Sequence, residues 1–256
     1  MLHNSKNPPP YSLRPVAIEI YPNDTRVRFH PGNIDPPENC EREDITEFSR
    51  KSRQRLAFVA SNTSIDFLSM ITLTYPLLYP GDGREVKKHL NKMLTRLRQR
   101  YTDFEYLWFL EFQKRGAPHV HILASPRSDR KSRLWLSQAW YKIVGSSDVK
   151  HLKAGTQFVD VRRIDGAKRY AVKYAMKMRQ KRVPSQVSNV GRFWGHSKNV
   201  KPKQIGESIP ITGTDDLRYI CQRWDYAHKL DQPFSILYNA SVAIVQQLIS
   251  DRLKSG

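Results

Sequence analysis

The chain has 256 residues, enough for one sizeable domain with appendages or for two small ones. Its 43 Lys and Arg against 24 Asp and Glu give a formal net charge of +19, an excess that favours a polyanionic partner and makes nucleic acid the first choice. Two cysteines, Cys40 and Cys221, make neither a disulfide framework nor a metal pair. The N-terminus lacks a signal-peptide core and no apolar run is long enough to span a bilayer. A cytoplasmic setting is therefore expected, with no membrane partner.

Residues 1–65 read as a proline-rich, partly disordered leader. It holds two short strand candidates, 16–21 and 26–29, and a charged stretch, 41–56, that suits an exposed helix or a loose segment. The organised domain is expected over 66–183. Phe67–Tyr75 is a breaker-free β-branched strand. Arg84–Arg100 carries Val86, Leu90, Met93, Leu94 and Leu97 on one helical face. Glu105–Phe112 and His119–Ala124 are the second and third strands, and Ser128–Val144 is a helix with Leu134, Leu136, Ala139 and Trp140 on its apolar side. Gln157–Arg162 is a fourth strand, and Ala167–Gln180 a further helix. The first six of these elements follow the order of the split βαβ, ferredoxin-like α+β fold: an antiparallel sheet with the first and third strands side by side at its centre. Residues 184–214 read as an irregular loop with possible DNA contacts, and 215–256 as a C-terminal helical extension.

Two stretches carry chemistry. In Glu111–His121 two histidines flank Val120, so on a strand they share one face. A turn at Lys114–Pro118 folds Glu111 back beside them. Two imidazoles and a carboxylate then suit an open divalent-metal site; the same spacing also suits a half-exposed strand whose histidines happen to alternate. The second stretch is Tyr170-Ala-Val-Lys173-Tyr174-Ala-Met-Lys177. Its tyrosines lie four apart and stack on one helical face, with Lys173 and Lys177 on the adjoining one. A phenol attacks phosphorus once a cation favours the phenolate and a metal polarises the phosphate. Packing of these tyrosines onto the sheet is the alternative.

Taken together, Ile71-Thr-Leu-Thr-Tyr75, Pro118-His-Val-His-Ile122 and Tyr170 to Lys177 resemble the three motifs of the HUH endonuclease superfamily. The closest likeness is to its rolling-circle replication initiators, in the two-tyrosine form of phage gene A proteins, with Arg115-Gly-x-Pro-His-x-His worded as in phage and plasmid initiators. The resemblance covers about residues 66–200. It implies that His119, His121 and Glu111 hold one Mg²⁺ or Mn²⁺, with Gln113 assisting. It implies further that Tyr170 or Tyr174 attacks a scissile phosphate to leave a 5′-phosphotyrosine and a free 3′-OH, with Lys173 and Lys177 as the supporting cations. Implied partners are single-stranded or hairpin origin DNA and a host helicase and polymerase in a bacterial or other prokaryotic cell, because the sequence holds no P-loop.

Expected DNA contacts come from Arg115 and from a basic run containing Arg162, Arg163, Lys168, Arg169, Arg179, Lys181 and Arg182. Arg192, Phe193 and Trp194 either clamp an unpaired strand or plug the core. His89, His151 and His196 have no companion spacing and read as surface or core residues. A rolling-circle transposase or a relaxase shares the chemistry. A non-catalytic ferredoxin-like nucleic-acid reader shares only the sheet, and would show aromatics where this chain has His119, His121 and Glu111.

Overall fold

A computed structural model describes residues 15–29, 44–161, 168–173, 182–210 and 234–238. In chain order the elements are β1 (Pro15–Ile20), β2 (Asp24–Phe29), α1 (Arg50–Asn62), β3 (Ser69–Thr74), α2 (Gly83–Arg100), β4 (Tyr106–Phe112), β5 (Pro118–Ala124), α3 (Arg130–Ile143), α4 (Val149–Ala154), β6 (Thr156–Asp160), β7 (Trp194–His196), β8 (Ile209–Pro210) and β9 (Phe234–Tyr238). Residues 168–173 are also helical. Two units divide the chain, one formed by 41–202 and the other by 1–40 with 203–256.

The larger unit is α+β and is built on a five-stranded antiparallel sheet in the order β6-β3-β5-β4-β7. Its first four strands are the split βαβ arrangement, with the histidine strand β5 at the centre, and β7 adds an edge beside β4. Period-two alternation divides the sheet's side chains between two faces. Ile71, Leu73, Leu110, Val120, Ile122 and Phe158 are buried with Leu90, Met93, Leu97, Leu136 and Trp140 in one apolar cluster. Helix α2 starts where Asp82 accepts the Arg84 backbone N–H at 2.9 Å, and α3 where Asp129 accepts that of Ser132 at 2.7 Å.

Three elements differ from the expectation. Helix α1 is neither loose nor fully exposed. Ser49 caps it, its charged residues fill the first turns, and Leu56, Ala57, Phe58 and Ala60 are buried in its second half. The charges at 50–55 conceal this apolar face when the segment is read only as far as Leu56. Helix α4 falls in a stretch left unassigned. Strand β7 lies within the expected loop, and at three residues it is too short to show a period. It approaches β4 closely, because a Cβ at Gly195 would sit 2.9 Å from the Trp108 indole nitrogen. Phe193, just before β7, is 3% exposed; it stacks on Phe48 at 5.2 Å and meets Phe112 edge-on at 6.2 Å. It is part of the core.

In the smaller unit β1 pairs with β2 and β8, and β2 pairs with β9. Ala17, Ile18 and Ile20 are buried, and the Tyr21 hydroxyl donates to Glu19 at 3.0 Å. Within the expected helical extension, the described residues Phe234–Tyr238 form a strand, and the rest of 215–256 lies outside the described residues. Among the described residues no helix is long and apolar enough to cross a membrane.

The Phe48–Phe193 stack joins the approach to α1 to the approach to β7. Phe193→Ala should cost about 3–5 kcal/mol, read as a lower urea or thermal midpoint. An unchanged midpoint would show that the stack contributes nothing.

Candidate active site

Register assembles the site before any side chain does. Across β3 and β5, Thr72 lies opposite His121 and Thr74 opposite His119; across β5 and β4, His119 lies opposite Glu111 and His121 opposite Phe109. Directly opposed residues share a face, so two threonines, two histidines and one carboxylate stand together. The turn that allows this is closed by the Gln113 N–H to Ala117 O at 2.9 Å and the Gly116 N–H to Gln113 O at 2.8 Å, with Gly116 at φ +83°.

Each imidazole is held through its Nδ1. That of His119 lies 3.0 Å from Thr74 Oγ1, and that of His121 lies 3.3 Å from Thr72 Oγ1. The rings stand edge to face with centroids 4.6 Å apart, and His121 also stacks on Phe109 at 5.1 Å. The other nitrogen of His121, Nε2, is 3.1 Å from Glu111 Oε2. Among the described residues no three His, Cys, Asp or Glu side chains form a ready-made metal cage; Glu111 and His121 close on each other instead. Burial, reinforced by the neighbouring His121 and opposed by Glu111, pushes the His119 pKa down to about 4. Its imidazole is therefore neutral near pH 7.

A cleft of about 390 Å³ opens over these groups, lined by Met70, Thr72, Thr74, His119, His121, Ala154, Thr156, Gln157 and Tyr170. Tyr170 comes from helix 168–173, which is seated by the fully buried Ala171 and by Lys168, whose Nζ donates to Thr63 O at 2.8 Å. The Tyr170 ring lies 6.1 Å from that of His121 and 6.3 Å from that of Phe109. Burial first, and the Glu111 charge second, raise its pKa, so the phenol rests protonated. Lys173 and Arg169 are exposed on the same helix. Tyr174, Lys177, Arg162, Arg163, Arg179 and Lys181 lie outside the described residues.

Arg115 has a defined structural place. Its guanidinium donates to Tyr75 O at 2.7 Å, Pro76 O at 2.8 Å, Leu77 O at 3.2 Å and Gln113 Oε1 at 3.0 Å, and it lies over the Tyr79 ring. It ties the loop after β3 to the turn before β5. Trp194 donates from Nε1 to Ser52 Oγ at 3.0 Å and stacks on His196, whereas Arg192 is exposed. These two line a separate cleft of about 880 Å³ that also includes Trp108, Asp44 and Glu47.

Sequence reading did not single out Thr72 and Thr74, although Thr-x-Thr has the same period as His-x-His. It also set aside His151. The Nε2–H of His151 donates to Thr74 O at 2.8 Å, beside the Trp140 Nε1–H that donates to the same oxygen at 2.8 Å. His89 is buried, with its Nδ1 3.1 Å from the Tyr75 hydroxyl.

Residues 68–179 match the family model of the replication-associated proteins described by ORF2 and the gene-II protein. No curated protein and no solved structure matches the chain. The matched stretch covers under half of the chain but runs from the start of β3 past helix 168–173. It therefore contains every residue of the histidine cleft. That similarity supports a replication initiator of the rolling-circle kind.

Proposed function

We propose that the chain nicks and rejoins single-stranded origin DNA by tyrosine attack, as a rolling-circle replication initiator. One observation carries the reading: His119, His121 and Glu111 share a sheet face, and Tyr170 faces them across a cleft. Basic residues line the same helix, and the chain carries a net charge of +19, which suits a phosphate backbone.

The donor set fits a divalent ion. Both imidazoles have Nδ1 occupied by a threonine hydroxyl, which directs Nε2 to bind, and the Glu111 carboxylate lies beside one of those nitrogens. His119, His121 and Glu111 would hold Mg²⁺ or Mn²⁺, which when bound supplies charge stabilisation to the scissile phosphate. Because His119 is neutral at pH 7, no proton competes for its nitrogen.

Tyr170 then supplies the nucleophile. Its oxygen bonds to phosphorus, the P–O3′ bond breaks, the phenolic proton is lost, and the departing 3′-oxygen takes up a proton. A phosphodiester is exchanged for a phosphotyrosine, so the step reverses without ATP, and the free 3′-OH primes a host polymerase behind a host helicase. The raised Tyr170 pKa means that a cation must favour the phenolate in this step. Lys173 and Lys177 supply that charge, and Tyr174, one turn on, serves as the second nucleophile. The basic run, Arg192 and Trp194 guide the unpaired strand.

With origin single strand and Mn²⁺, each of Tyr170→Phe and Tyr174→Phe should keep one cleavage and lose strand transfer. The double variant should fall below about one-thousandth of the normal nicking rate. A double variant that still gives a 5′-linked adduct, mapped by peptide mass spectrometry, sinks the assignment. Excess chelator, or His119→Ala with His121→Ala, should abolish adduct formation; cleavage that persists would exclude a metal role. The unfolded His119 imidazole takes a proton near pH 6.5 and the folded one only near 4. Stability present in full above pH 6.5 is therefore lost as pH falls toward 4. His119→Gln should flatten the melting temperature across that window, and an unaltered slope would contradict the burial argument.

A further inference from the structure

The threonines opposite the histidines have a role that the proposed chemistry does not by itself assign. We infer that Thr72 and Thr74 are positioning residues, whose hydroxyls orient His121 and His119 and decide which imidazole nitrogen is left to bind. The inference rests on the metal site proposed above and adds to it how the ligands are prepared.

Geometry carries the argument. Two hydroxyl-to-Nδ1 contacts repeat at a two-residue interval on the same pair of strands, each between residues in direct register. Thr72 is 7% exposed. As a β-branched side chain, threonine is stiff at χ1, so its oxygen is an aimed partner. Thr74 is the last residue of β3, where a strand would ordinarily fray, yet its backbone is held from three sides. Its N–H donates to Gly155 O at 2.8 Å, and its carbonyl receives both the Trp140 indole and the His151 imidazole. Trp140 and His151 thus fix Thr74, and Thr74 fixes His119. With Nδ1–H donated to Thr74 Oγ1, His119 leaves Nε2 bare on the cleft side.

Thr72 has a subtler task. A carboxylate only accepts, so in the present arrangement His121 carries its hydrogen on Nε2, toward Glu111, and Nδ1 accepts from the Thr72 hydroxyl. When Nε2 takes a cation, the hydrogen must lie on Nδ1 and the same hydroxyl must accept. A carbonyl or an amide N–H could serve only one of these states. A hydroxyl, which rotates and both donates and accepts, serves both without displacing the ring.

The test uses the full-length protein with ¹⁵N-labelled histidine. Long-range ¹H–¹⁵N spectra near pH 7.5 should place the His119 hydrogen on Nδ1 and the His121 hydrogen on Nε2, and Mg²⁺ should move the latter to Nδ1. Thr74→Val should shift His119 to the Nε2–H tautomer and weaken Mn²⁺ binding, read by electron paramagnetic resonance, about tenfold to a hundredfold. Thr74→Ser should restore both. His119 carrying its hydrogen on Nε2 in the unmodified protein overturns the inference, as does unchanged Mn²⁺ affinity in Thr74→Val. If the unmodified protein binds no Mn²⁺, the metal reading falls, while the metal-free spectra still judge the threonines. If Thr74→Val fails to fold, the tautomers of the unmodified protein decide.

Discussion

Strand register is the constraint on which the rest of this molecule depends. The site is drawn from three strands, and nothing but the pairing of β3, β5 and β4 brings Thr74, His119 and Glu111 into one row. A slip of one residue in either pairing would turn a whole set of side chains to the opposite face. The buried face prevents that slip, because Ile71, Leu73, Val120, Ile122 and Leu110 would lose their apolar contacts together. The apolar core therefore stabilises the sheet and also sets the geometry of the polar face.

That polar face is relatively dry, and dryness shapes its chemistry. Burial keeps His119 neutral and Tyr170 protonated. The first effect favours cation binding and the second opposes attack until positive charge arrives. The same desolvation thus prepares the ligands while leaving the nucleophile at rest, which suits a protein that should cut only when substrate and ion are both in place.

Much of the larger unit was legible because its elements are long and strongly patterned. Val86, Leu90, Met93, Leu94 and Leu97 mark α2 without ambiguity, and the Gly116 turn between two apolar runs marks the β4–β5 hairpin. The histidine row was legible because its period is two. What escaped notice lacked such a signal. Strand β7 spans three residues, the apolar half of α1 follows a charged half, and Phe234–Tyr238 reads as easily as part of a helical stripe as a strand. Thr72 and Thr74 escaped for another reason: their importance comes from the strand they face, more than forty residues away in sequence. Arg115 likewise read as a phosphate contact from its charge alone, because its carbonyl partners at Tyr75, Pro76 and Leu77 become neighbours only when the sheet forms.

The central place of β5 has one more consequence. Its backbone is paired along both edges, by β3 and by β4, whereas Tyr170 reaches the cleft from a helix joined to the sheet through side chains. Amide groups of a doubly paired central strand exchange with solvent only when the domain unfolds as a whole, while peripheral helices open in smaller steps. The two halves of the site therefore belong to different layers of stability. The histidines persist as long as the fold itself does, and the nucleophile can be withdrawn and returned without disturbing them.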